Sequence, residues 1–238
     1  MFPVVPRGSE EDREDQVRER VLQSALNFVP QHGWSRNALI AGAEIEGLPS
    51  VAHGMFPRGG IELVLYFYAS SNQKLADMLA AETRLSQDGR MQKKSTELFI
   101  RDALETRLRM LIPYLSKWPQ AMGLMSLPWN APEALENLKT VVNDIWFYAG
   151  DTSVDLNWYS KRVSVAGVYK SSELFMLQDS SDDFRETWSF MQRRINNVMK
   201  LGDLAGQMQP GSIDGVGTFM SGAIEIVSYI LSLVPPSF

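Results

Sequence analysis

The chain has no cysteine and only two histidines, His32 and His53, in 238 residues. Without cysteine there can be no disulfide and no thiolate metal site, which argues against a small disulfide-framed fold. Neither histidine has a carboxylate at Glu-x-x-His spacing. A zinc hydrolase or a di-iron oxygenase draws two or more His ligands from facing elements, and that set is missing. Both histidines are read as structural or exposed, and no metal and no cofactor are expected. No nucleophile–base pair stands out either, so the chain is expected not to be an enzyme. Positive charge is short as well: 23 Lys and Arg face 28 Asp and Glu, a net of −5, which gives no global pull on nucleic acid. Period-two alternation and internal repeats are also absent.

What remains is 45% hydrophobic sequence at helical spacing, enough for a large all-helical core. Val5-Pro6-Arg7-Gly8-Ser9 resembles a thrombin-cleavable tag remnant, so residues 1–9 are set aside. Residues 10–70 read as an N-terminal head, 71–204 as a helical body, 205–215 as a linker and 216–238 as a separate amphipathic helix. In the head, Val17, Val21, Ala25, Phe28 and Val29 form one apolar stripe that Pro30 and Gly33 end. Ser35 can cap a second helix through Ala43, and Pro49 to Phe56 would be a third. In the body, breakers place helices at about Gly60–Ser86, Ser95–Lys117 with a kink at Pro113, Pro119–Leu127, Pro132–Ala149, Ser153–Leu177 and Asp183–Leu204. The glycines between Leu201 and Gly215 suggest a flexible connection.

The middle of the body is rich in large, soft side chains. Met110, Leu111, Tyr114, Leu115 and Trp118 precede Met122 and Met125, and Trp146, Trp188 and Met191 follow. At helical spacing such residues make either plain core or a pocket for a variable apolar ligand. Asp155, Trp158, Tyr159 and Arg162 stand at i, i+3, i+4 and i+7 and share one helix face. Trp, Tyr and Arg are the residues most enriched at binding hot spots, so this face is a docking surface or an internal aromatic and salt-bridge cluster. Phe219, Met220, Ala223, Ile226, Val227 and Ile230 line one stripe of the last helix. Glu225 near its centre disfavours a bilayer span, by about 2.5–3.5 kcal/mol on insertion scales. The helix either lies in the membrane interface or docks on protein.

Val21 to Ser70 is similar to the TetR repressor head, with Ala25-Leu26 and His32-Gly33-Trp34 matching its first helix and turn. Two features depart from that pattern. Ala52-His53-Gly54-Met55-Phe56-Pro57-Arg58-Gly59 replaces the tyrosine and lysine of the recognition helix. Between Val21 and Ser70, Arg36 and Arg58 face Glu44, Glu46 and Glu62, a net of −1. A DNA-reading head needs cations on its groove face, so no nucleic-acid partner is expected. The competing reading is a TetR-type DNA-binding regulator with a lipophilic effector.

From Asp15 to Leu233 the chain resembles the family of the ninth Coq protein of eukaryotic ubiquinone biosynthesis. The segments that carry this are Ala38 to Ile45, Trp129-Asn130-Ala131-Pro132, Asp155-Leu156-Asn157-Trp158-Tyr159 and Met176-Leu177-Gln178-Asp179-Ser180-Ser181. The resemblance implies a TetR-like homodimer that has become a lipid-binding accessory protein, peripheral on the matrix face of the mitochondrial inner membrane. Its ligands would be isoprenoid lipids and ubiquinone precursors, presented to the di-iron demethoxyubiquinone hydroxylase. Asp155, Trp158, Tyr159 and Arg162 would contact that hydroxylase, and the last helix would contact the membrane surface.

Overall fold

The computed structural model describes residues 7–151 and 156–207. Asp155 and the stripe of Phe219, Met220, Ala223, Ile226, Val227 and Ile230 lie outside them. The described secondary structure is helical throughout, with no strand among the described residues. Of the described residues, 7–70 and 113–134 form one compact unit; 71–112, 135–151 and 156–207 form the other.

In the first unit, helix α1 (Arg7–Leu26) packs on α3 (Arg36–Ile45), with one-turn α2 (Val29–His32) between them. Val21, Ala25 and Val29 of the expected stripe are fully buried. Pro30 does not simply stop the first helix: α1 ends four residues earlier, and Pro30 sits in the first turn of α2, where its missing N–H costs nothing. α1 and α3 approach closely at Gly42, where a β-carbon would stand 2.6 Å from the Ala25 backbone nitrogen. Ser35 occupies the N-cap position of α3, but its hydroxyl donates to the His32 carbonyl at 2.8 Å instead of capping.

The expected third helix is a six-residue 3-10 turn, Ser50–Met55, with no buried residue. Pro49 before it and Gly54 and Pro57 at its end leave no room for an α-helix. The continuous helix expected over Ser95–Lys117 is also divided. α5 (Thr96–Arg109) ends, a 3-10 turn follows over Ile112–Lys117, and α6 (Trp118–Ser126) starts afresh. Pro113 removes one backbone donor and Pro119 suits a first helical turn, so a break replaces the kink.

Long α4 (Gly60–Gln87) gives its residues through Ser70 to the first unit and the rest to the second. The second unit also holds α5, α7 (Ala131–Tyr148) from Leu135 onward, α8 (Leu156–Met176) and α9 (Arg185–Gln207). Ser95 caps α5 by accepting from the Leu98 N–H at 3.3 Å. α9 packs on both α8 and α5. It starts later than the Asp183 expected, because Asp183 and Phe184 lie in the left-handed region, at φ 53° and 55°. It also runs past Leu201 to Gln207, so the first part of the expected connection is helix. Among the described residues, no helix is long and apolar enough to cross a membrane.

Candidate functional site

The apolar candidates divide between the units. Tyr114, Leu115, Trp118, Met122 and Met125 belong to the first. There Trp118 is fully buried and Met125 nearly so. Trp118 and Tyr114 join Trp34, Phe67 and Tyr68 in a five-ring cluster. Ring centroids lie 5.7 Å apart for Trp34–Trp118, 5.5 Å for Trp34–Tyr114, 5.0 Å for Phe67–Tyr114 and 5.7 Å for Tyr68–Trp118. These are the tilted and edge-on contacts that aromatic quadrupoles favour. Burial alone pushes the Tyr114 phenol above its ordinary value. A single amide ties α6 to the head: the Gln120 side chain accepts from the Trp34 N–H at 2.9 Å and donates to the Trp34 carbonyl at 3.2 Å.

Met110, Leu111, Trp146, Trp188 and Met191 belong to the second unit. Leu111, Trp146 and Met191 are buried, while Met110 and Trp188 are half-buried. Trp188 holds the entry to α9: its indole N–H donates to the Asp183 carbonyl at 2.7 Å, and the Arg109 guanidinium lies 4.8 Å over its ring. Arg109 also donates to both Asp183 oxygens at 2.8 Å, which draws the Asp183 carboxyl below its ordinary value. Phe175, Arg185, Glu186, Ser189 and Arg193 line a surface depression on the same unit.

Asp179, in the last segment of the family-like pattern, joins α8 to α9. Burial would raise its pKa. Hydrogen bonds from the Thr187 hydroxyl and backbone N–H, and from the Ser181 N–H, overcome that and hold it at about 2.

The face around Trp158 is half outside and half inside. Tyr159 is 65% exposed, Trp158 is half-buried, and their rings meet edge-on at 4.9 Å. Arg162 does not share that exposure, since 14% of its side chain is accessible. Its guanidinium stacks 4.0 Å over the Trp158 ring and donates to the Trp158 carbonyl at 3.2 Å. It also donates to Asn143 Oδ1 at 2.8 Å and to Asp151 Oδ2 at 3.1 Å. Neighbouring Lys161 donates to the other Asp151 oxygen at 2.7 Å and lies 5.4 Å over the Trp146 ring. The Trp146 indole N–H donates to the Lys161 carbonyl at 3.2 Å. Two cations next to each other in the chain therefore converge on one carboxylate whose side chain is 4% exposed.

Asn143 and Asp151 were missed in the sequence. The available signal was the acid just after Gly150, followed ten and eleven residues later by Lys161 and Arg162.

In the head, Arg58 is engaged within its own unit although its side chain is 41% exposed. It donates to Asn130 Oδ1 at 3.0 Å and to Glu133 at 2.7 Å. One of the two arginines in the charge-poor segment is thus tied to the Trp129–Pro132 motif. Among the described residues, no three His, Asp or Glu side chains cluster as a metal site.

Three of the family-like segments carry contacts that hold the fold, through Gly42, Asn130 and Asp179. The profile of the family described as COQ9 matches residues 131–202, which cover α7, α8 and most of α9. That of the N-terminal domain of ubiquinone biosynthesis protein COQ9 matches residues 14–44, which cover much of α1 and nearly all of α3. The mitochondrial ubiquinone biosynthesis protein COQ9 of Rattus norvegicus is 45% identical over 222 residues, 92% of this chain and 71% of the relative. The chain belongs to the COQ9 family. The Homo sapiens COQ9 is 43% identical over 224 residues, covering 92% of this chain and 70% of its own length. The COQ9 of Drosophila melanogaster is 42% identical over 207 residues, or 85% and 62%. All three relatives are named as mitochondrial ubiquinone biosynthesis proteins, and with the family match this places the COQ9 chain in ubiquinone biosynthesis.

Proposed function

We propose that this chain is a non-catalytic, lipid-binding accessory protein of ubiquinone biosynthesis. It binds isoprenoid quinone intermediates at the matrix face of the mitochondrial inner membrane and presents them to the di-iron demethoxyubiquinone hydroxylase. The observation that carries the reading is the outward Trp158–Tyr159 pair, held from beneath by Arg162.

A polyprenyl quinone is nearly insoluble, and its head group must leave the bilayer to reach an iron centre. An apolar site beside the membrane lowers that barrier. In the first unit, Tyr114, Trp118, Met122 and Met125 supply soft walls that adapt to such a tail. The tightly packed rings around Trp118 imply that a tail entering there displaces or reorients them. The stripe from Phe219 to Ile230 holds the protein in the interface, burying about 5–10 Å of depth. Two copies assemble as a homodimer, and the Trp158 face meets the hydroxylase.

Native mass spectrometry with lipid extraction of the purified chain tests this. Co-purifying isoprenoid lipids are expected. A lipid-free protein that binds duplex DNA with steep salt dependence would overturn the reading in favour of a DNA-binding regulator.

A further inference from the structure

The Trp158–Tyr159 face does not hold itself. The contacts that fix it come from α7 and from the residues just after it, through one guanidinium. Arg162 uses its Nε on Asn143 and its Nη1 on Asp151 and on the Trp158 carbonyl, and it lays its plane against the indole. Asp151 also binds Lys161, whose carbonyl receives the Trp146 indole N–H and whose ammonium lies over that ring. One buried carboxylate therefore fixes two successive cations, each of which orients a different tryptophan.

We infer that Asp151 is a positioning residue: with Asn143, it locks Arg162 beneath Trp158 and thereby sets the indole in the orientation that meets a partner. This rests on the docking role proposed above for Trp158. The chemistry supports a rigid aromatic contact rather than an ion pair. Arg162 is largely covered, and its charge faces Asp151, so the exposed part of the pair is the Tyr159 ring and the outer edge of Trp158. Rotamer freedom already removed in the unbound protein is not lost again on binding, which is how a buried clamp raises affinity without touching the partner.

A double-mutant cycle on the full chain tests this, with the hydroxylase as titrant. Asp151→Asn keeps the shape and removes the charge. It should weaken binding about tenfold in the parent background and leave affinity nearly unchanged in a Trp158→Ala background, because the clamp acts through the ring. The same variant, labelled with 5-fluorotryptophan, should shift or broaden the Trp158 fluorine resonance, identified by its loss in Trp158→Phe.

Equal loss in both backgrounds, or a Trp158 resonance that stays in place, would overturn the inference. Parent-like affinity of Trp158→Ala alone would instead remove the docking reading, so the two failures are told apart. If Asp151→Asn does not fold, Asn143→Ala enters the same cycle with the same expected pattern.

Discussion

Two aromatic groups in this chain are built from the same residue types and behave oppositely. In the first unit, Trp34, Phe67, Tyr68, Tyr114 and Trp118 hold one another with ring contacts, and Trp34 and Trp118 are sealed from solvent. In the second, Trp158 and Tyr159 touch each other, half-buried Trp158 leans on a guanidinium, and Tyr159 faces outward. The rings of the first group pack against one another, whereas Trp158 rests on Arg162 and, through it, on Asp151 and Asn143. An aromatic set that serves the core packs ring against ring. The Trp158–Tyr159 pair has polar support from below.

The largest expected effect lies in the first group. Trp118→Ala removes a fully buried indole from the ring cluster and should cost about 3–5 kcal/mol in chemical denaturation. A loss below about 1 kcal/mol would mean that the cluster is loose, and the contrast with Trp158 would fail. Next comes Gln120→Ala, which leaves both the N–H and the carbonyl of nearly buried Trp34 without a side-chain partner. It should cost about 1–3 kcal/mol by the same measurement.

A smaller effect belongs to Asp179. Its folded pKa of about 2 lies below the ordinary 3.8, so its contribution is present above about pH 4 and is lost as pH falls towards 2. Discounted for its partial exposure, that contribution is about 1 kcal/mol. Asp179→Asn should lower stability by this amount at neutral pH, and its denaturation midpoint should converge with that of the parent in titrations carried to pH 2. A gap that persists at pH 2 would show that the Thr187 and Ser181 contacts do not depend on the charge.

Much of the helical fold was legible because apolar spacing and helix breakers act locally. Val21, Ala25 and Val29 were read from period 3.6 and are core, and Gly47, Gly89 and Gly150 turn the chain at positive φ. The sites that misled were those where proline does two things. Pro30 and Pro113 were read as a stop and a kink, yet each lies in a new short helix. The divided start of α9 was hidden for another reason. Nothing local predicts left-handed backbone at Asp183 and Phe184; the Arg109 fork and the Trp188 N–H, from elsewhere in the chain and further along it, hold Asp183 there.

The candidate face was half legible. Spacing placed Trp158, Tyr159 and Arg162 together, but spacing cannot say that Arg162 points inward. That depends on Asp151 and Asn143, which meet it only when α7 and α8 pack. The scarcity of cations in the head has a similar sequel: Arg58 was visible as charge, and its engagement by Asn130 and Glu133 was not.

The central claim is that Trp158 works outward while Trp118 works inward. Titration calorimetry of Trp158→Ala against the di-iron hydroxylase, with its denaturation midpoint recorded alongside, tests it most directly. The account predicts an affinity loss of about 2 kcal/mol, roughly thirtyfold, with stability changed by less than about 1 kcal/mol. Undiminished affinity together with a stability loss like that of Trp118→Ala would contradict it and return Trp158 to the core.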